Sequence, residues 1–247
     1  MNEIIHTYYK ISNEFSRFGS GADLSGTFLT KVTRRGLFNN FIDIFGFDNM
    51  VVFADNANPE IIEFIKSKGV KDIRLSSIGY VGIWLYVVNS AIMSLKPDNI
   101  IYFVEDDYIH TPDAKQYIYE GLKIGDYVTL YDSLDKYIDS DKGGNNPLIK
   151  DGGEDTKVVL GDTSHFKRPN STTSTFACRV KTLQEDLPII LKYCTPQKVY
   201  EFMMFRELLT TGKKVLVCPI PGKASHVGLE LSPFVDWMSI VYGLKED

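Results

Sequence analysis

The chain has 247 residues, 44% of them hydrophobic and 24% charged, which is enough apolar side chain to close a full core. A formal net charge of −5 with no Lys/Arg block argues against a nucleic-acid protein, which needs a cationic face for phosphate. Residues 1–15 lack the charged start and apolar centre of a signal peptide, and the longest apolar stretch, 81–93, is too short to span a bilayer. The expected location is cytoplasmic; peripheral contact with a membrane would leave little trace in the sequence. Cys178, Cys194 and Cys218 are scattered without Cys-x-x-Cys spacing and read as buried thiols of a reducing compartment.

Residues 4–11 (IIHTYYKI) are dense in aromatic and branched side chains and predict a first strand, and the Gly/Ser-rich stretch 19–26 predicts a loop. Lys31, Arg34 and Arg35, the compact basic group of the first half, read as the approach to a helix. In that helix Leu37, Phe38, Phe41, Ile42 and Phe45 recur at helical spacing, and Gly46 ends it before a strand at 50–54. Pro59 opens a second helix through Ile61, Ile62 and Ile65 to Gly69. Ile73 and Leu75 mark a third strand, 79–93 a loop and an apolar helix, and 100–104 a fourth strand. This alternation predicts right-handed crossovers and a mainly parallel sheet as far as Asp107. Beyond it, 127–131 predicts a strand, 132–154 a polar excursion, 157–160 renewed β character, and 171–178 (STTSTFAC) an antiparallel strand. Helices are expected around 182–193 and over 196–209, the second with Thr195 as N-cap and Pro196 at its first position, before a short strand at 215–218. Nothing divides the chain, so a single domain is expected over 1–247.

The strongest chemical signal is Glu105-Asp106-Asp107, directly after the apolar run of the fourth strand. Open α/β sheets bind ligands beyond the carboxyl ends of such strands, so these acids should face a cleft. Three crowded carboxylates repel one another there unless a divalent cation and ligand hydroxyls share the charge. A solvated turn before a helix starting near Thr111-Pro112 is the plainer alternative. Asp55-Asn56 follows the second strand on the same rim and could bind ribose hydroxyls or a base edge, or form a simple turn. Gly79 and Gly82 would let backbone approach a diphosphate near a helix N-terminus, but they match neither the dinucleotide fingerprint nor a P-loop. His110 lies close in sequence to the acids but should point away from them.

The alternating half, the strand ending in Glu-Asp-Asp and the mixed second half resemble, over nearly the whole chain, a glycosyltransferase of the GT-A fold. That resemblance implies a Rossmann-like α/β mixed sheet, mostly parallel in its N-terminal half with helices on both faces, and antiparallel elements in the C-terminal half. Residues 1–107 would form the nucleotide-binding half and 108–247 the acceptor-binding half. In the family an Asp-x-Asp signature holds Mn2+ or Mg2+ against the diphosphate of a sugar nucleotide, and Glu-Asp-Asp is a variant of it. By this resemblance Asp107 is the metal ligand, while Glu105 and Asp106 bind ribose, sugar or metal-bound water. His226, after a Pro-Gly turn late in the chain, stands where family members complete the metal site, although a lone His more often has a hydrogen-bonded structural role. Inverting members use a carboxylate at the start of a helix as base, which implies Glu201; an ordinary surface ion pair with Lys198 is the alternative. The activity so implied is metal-dependent transfer of a sugar, from a nucleotide donor expected to be UDP-linked, to a glycan acceptor. Its rivals are a sugar-phosphate nucleotidyltransferase and a non-catalytic carbohydrate-binding protein. Residues 171–175 could floor the sugar pocket, and Trp237 could pack against a sugar while Trp84 serves the core.

Overall fold

In the computed structural model, residues 3–13, 27–228 and 231–245 are described; the predicted loop 19–26 lies outside them. Strands β1 (Ile5–Ile11), β2 (Met50–Asp55), β3 (Asp72–Ser76) and β4 (Ile100–Glu105) run parallel in the order β3-β2-β1-β4. They are joined through α1 (Arg34–Phe45), α2 (Pro59–Ser67) and α3 (Gly79–Ser94). Because β1 is flanked by β2 and β4, the strand order reverses beside it, which opens a crevice at the carboxyl ends.

The reason these segments form central strands is visible in their alternation. In β1, Tyr9 packs with Phe38, Phe41 and Phe64 of α1 and α2, while Tyr8 faces the opposite layer with Phe53 of β2 and Trp84 of α3. In β4, Tyr102 and Val104 join the first layer and Ile101 and Phe103 the second. Both faces are therefore apolar, as a parallel sheet covered by helices on each side requires. Thr33 caps α1 by accepting from Gly36 N–H, and Gly46, at φ 75°, ends it.

The sheet continues past β4 to nine strands. Next comes β9 (Phe176–Arg179), antiparallel to β4, then β6 (Tyr127–Val128), β10 (Leu216–Ile220), β8 (His165–Lys167) and β7 (Val158–Leu160). Helices α4 (Ala114–Ile124), α5 (Val180–Lys192) and α6 (Glu201–Thr210) cover this part. A separate two-stranded sheet pairs β5 (Tyr108–His110) with β11 (Ala224–His226), and α7 (Trp237–Tyr242) closes the described chain. Both faces of the sheet thus carry helices, and the second half mixes parallel with antiparallel pairs, as expected.

Four local expectations are corrected. The strand over 127–131 stops at Val128, because Leu130 O accepts instead from Lys223 and Ala224 N–H of the β11 approach. The strand expected over 171–178 begins only at Phe176; the hydroxyls before it bond to other elements rather than facing solvent. The helix expected from 196 begins at Glu201, since the Thr195 hydroxyl closes a local turn with Lys198 and Cys194 bridges Val199. Trp237 packs with Leu29, Leu37 and Val241 in a small satellite core and donates to Ser232 O, away from the crevice.

The polar excursion over 132–154 contains short 3-10 turns at Leu134–Lys136 and Ser140–Lys142. It is anchored by the buried Lys167 ammonium, which lies 2.7 Å from Asp132 and 3.4 Å from Glu154 and donates to the Tyr137 hydroxyl. All three cysteines are free. Among the described residues no helix is long and apolar enough to cross a membrane.

Candidate active site

The crevice beside β1 is a cavity of about 820 Å³, walled by Lys10, Asp55, Tyr80, Glu105, Asp107 and Glu201 among others. The parallel register places the ends of β1, β2 and β4 on one rim, pairing Lys10 with Glu105 and Ile11 with Ala54. The acid triplet is therefore at the cleft, and its three carboxylates have three different partners.

Glu105 forms an ion pair with Lys10 at 2.8 Å. Asp106 is buried and its Oδ2 accepts from Arg34 Nε at 2.8 Å and from both the backbone and the hydroxyl of Ser12. Asp107 Oδ2 lies 3.1 Å from His226 Nε2, while its Oδ1 is buried without a hydrogen-bond partner among the described residues. The β5–β11 ladder makes that meeting, because His226 pairs with Tyr108, the residue after Asp107, and Val227 N–H donates to Asp107 O.

Burial disfavours a charged His226, but the hydrogen bond and charge of Asp107, with Glu105 and Asp106 beyond, outweigh it and raise its pKa above the usual histidine value. Gly228 N–H donates to Nδ1 at 3.0 Å, which places the hydrogen of the neutral ring on Nε2, facing Asp107. Ligation through Nε2 requires that hydrogen to leave, and with it the Gly228 bond if the ring changes tautomer. The orphaned Asp107 Oδ1 and the adjacent imidazole suit a divalent cation. Among the described residues no group of three or more His, Cys, Asp or Glu side chains is arranged to hold one. A cation here would draw its other ligands from water or a bound diphosphate.

On the β2 side, Asp55 Oδ1 accepts from the Ser76 hydroxyl and Ile78 N–H, and Oδ2 accepts from Asn56 Nδ2 and Gly79 N–H. Four bonds fill the acceptor capacity of a carboxylate, so a ribose hydroxyl would have to displace one of them. Asn56 adopts φ 52° and its Oδ1 accepts from Ser77. Gly79, at φ 73°, opens α3 and lines the cavity. The loop expected around Gly82 is instead the first turn of α3, where an added Cβ would meet Ile78, and Gly82 is not among the lining residues.

Glu201 stands at the start of α6 and lines the cavity. Its Oε1 accepts from the Tyr80 hydroxyl at 2.9 Å and from Ser174 Oγ, so the surface pair with Lys198 is not formed. Burial, then the charge of Glu105, raise its pKa; hydrogen bonds from Ser174 and Tyr80 and the charge of Lys10 partly offset this. Both bonds fall on Oε1, which leaves Oε2 to accept a proton.

His110 is fully buried, shares a hydrogen bond with the Tyr102 hydroxyl at 2.8 Å, and is pushed down to about 3 by burial. It points away from the acids, as expected. Lys10, Arg34, Tyr80 and Ser12 were not anticipated as cavity residues. Their only trace in the sequence is a lone lysine near the end of an apolar strand and a basic pair before a helix.

This nine-stranded mixed sheet with its rim cavity is a Rossmann-like α/β fold of the GT-A type. Among solved structures, GalNAc-T7 with UDP, GalNAc and Mn2+ matches 90% of this chain at 11% identity with a TM-score of 0.52. The chain spans 43% of that protein, less than half its length. The 4-diphosphocytidyl-2C-methyl-D-erythritol synthase of Anaerococcus prevotii matches 98% of this chain and 96% of its own at 13% identity and a TM-score of 0.46. S. aureus TarS (residues 1–349) matches 87% of this chain and 57% of its own at 9% identity and 0.47. No protein-family profile and no curated protein sequence matches the chain.

Proposed function

We propose that the protein is a metal-dependent glycosyltransferase that moves a sugar from a nucleotide donor, UDP-linked by preference, to a glycan acceptor with inversion. The observation that carries this reading is one cavity holding the Asp107–His226 pair on one side and the half-buried Glu201 on another. Asp107 and His226 would hold Mn2+ or Mg2+, which supplies charge neutralisation for a departing diphosphate. The buried Lys10–Glu105 and Arg34–Asp106 pairs fix the rim on which the donor lies, with Gly79 and Asn56 at its nucleoside end. Glu201 Oε2 takes the proton of the acceptor hydroxyl, whose oxygen bonds to the anomeric carbon. The bond from that carbon to the diphosphate oxygen breaks, and its electron pair leaves with the diphosphate.

A nucleotidyltransferase gains some support from Lys10 and Arg34, which bring cations to the end of β1. Each is matched by a carboxylate at 2.8 Å, so neither is a free phosphate clamp. Thermal-shift measurements across nucleotide sugars, with and without Mn2+, test the donor. A ligand at a hundredfold its dissociation constant adds roughly 2.7 kcal/mol. Asp107→Ala is expected to remove the Mn2+-dependent shift and reduce transfer by roughly 10²–10³-fold. Full activity in that variant would take Asp107 out of the site, and pyrophosphate release from NTP and sugar phosphate would replace this reading with its rival.

A further inference from the structure

A second cavity, of about 360 Å³, adjoins the first and shares two lining residues with it, Thr173 and Glu201. Its other walls come from the polar excursion, with Ser133, Asp135 and Asn146, and from Ser171, Thr172 and Phe202. The segment 171–175 runs between the two cavities as a ladder of hydroxyls. Ser171 accepts from Lys136, Thr172 donates to Thr129, Thr173 shares a bond with Tyr108, Ser174 donates to Glu201, and Thr175 accepts from Glu105 N–H. Each rung is tied to a different part of the chain, and through Ser174 the ladder that lines the second cavity at Ser171, Thr172 and Thr173 also holds Glu201.

The chemistry of this groove selects its ligand. Hydroxyl and amide groups dominate the lining. The one lysine among its lining residues, Lys136, is buried and donates to Asn170 Oδ1 at 2.9 Å and to Ser171 Oγ at 2.6 Å, so its charge is directed into the protein. An anionic ligand would meet the carboxylates of Asp135 and Glu201, while Lys136, the cation beside Asp135, is already engaged by Asn170 and Ser171. Asp135, a residue of the lining, has a buried Oδ1 without a hydrogen-bond partner among the described residues, which a ligand O–H would satisfy. Phe202 adds an aromatic wall of the sort that packs against the C–H face of a sugar.

We infer that this groove is the acceptor subsite and takes the neutral, hydroxyl-rich end of a glycan, which meets Glu201 from the second cavity. The inference rests on the glycosyltransferase reading and assigns the acceptor's location and charge. To test it, the labelled full chain, Asp135→Ala and Phe202→Ala are applied to an array of neutral and anionic oligosaccharides. The same samples are measured by thermal shift with UDP and Mn2+. Capture of a neutral oligosaccharide is expected, with a loss of about tenfold or more in both variants and an unchanged UDP shift. Phe202 is half-buried, so its variant keeps the test available should Asp135→Ala fail to fold. Undiminished capture in the variants, capture of anionic oligosaccharides alone, or no capture at all overturns the assignment. Capture lost in the variants, from a wild type that shows no UDP shift, keeps the groove and sinks the donor reading instead.

Discussion

From β3 to β4 the sheet is parallel and buries both faces mainly through apolar side chains, whereas from β9 to β7 it is mixed and leans on the buried Lys167–Asp132–Glu154 cluster. The first arrangement is forgiving, because one methylene more or less changes packing by a small amount. The second is not, since removing one charge leaves the others buried without compensation. The contrast matches the proposed division of labour. In that proposal the parallel half would set the ends of strands around a donor, and the mixed half would hold an irregular polar excursion in one shape around an acceptor.

The largest expected effect breaks the shared wall. Glu201→Gln keeps the hydrogen bonds from Tyr80 and Ser174 but removes the base, so transfer should fall roughly 10²–10⁴-fold with donor affinity retained; a loss under tenfold would put the base elsewhere. The two halves can then be compared directly by urea unfolding. Lys167→Met strands Asp132 and Glu154 and should cost about 3–5 kcal/mol, against roughly 0.5–1.5 kcal/mol for Ile101→Val in β4. Similar costs at both sites would dissolve the distinction.

At the junction, His110 follows from its depressed pKa of about 3 against an ordinary 6.5. The folded protein holds it neutral, so its contribution is complete above pH 6.5 and declines as the unfolded chain takes up a proton below that, down to about 3. Between pH 6.5 and 5 the decline approaches roughly 1.4 kcal/mol per pH unit. His110→Phe should flatten that part of the stability profile, and an unchanged slope would refute the assignment. The smallest effect sharpens the site. Tyr80→Phe deletes a hydrogen bond that favours ionised Glu201, so the acid limb of kcat/KM should move to higher pH; movement downward would mean that Glu201 is not the titrating base.

How much of this was legible in the sequence follows the same division. The strands β1, β2 and β4 and the helix α1 declare themselves through apolar density, helical spacing and the glycine that ends α1, because their partners are the layers their own periodicity demands. The rim position of Glu105-Asp106-Asp107 comes from the same rule. His226 was legible as a late histidine after a Pro-Gly turn, while its meeting with Asp107 depends on a two-stranded ladder that no local pattern announces. Lys10 went unread, and Arg34 was read only as the approach to a helix, since their partners lie 95 and 72 residues away. Near Thr195 the signals for a helix cap and for a closed hydroxyl turn are the same, and the local bridge from Cys194 to Val199 closes the turn instead of opening the helix.

Asp55 has one more consequence. By gathering Ser76, Ile78 and Gly79 onto one carboxylate, it freezes the β3–α3 connection during folding, before any ligand arrives. Whatever enters the crevice meets a rim whose backbone freedom is already gone, so association forfeits little conformational entropy on that side. A substitution such as Asp55→Ala would therefore weaken a ligand that never touches the residue, and calorimetry would register it as a more unfavourable entropy of binding.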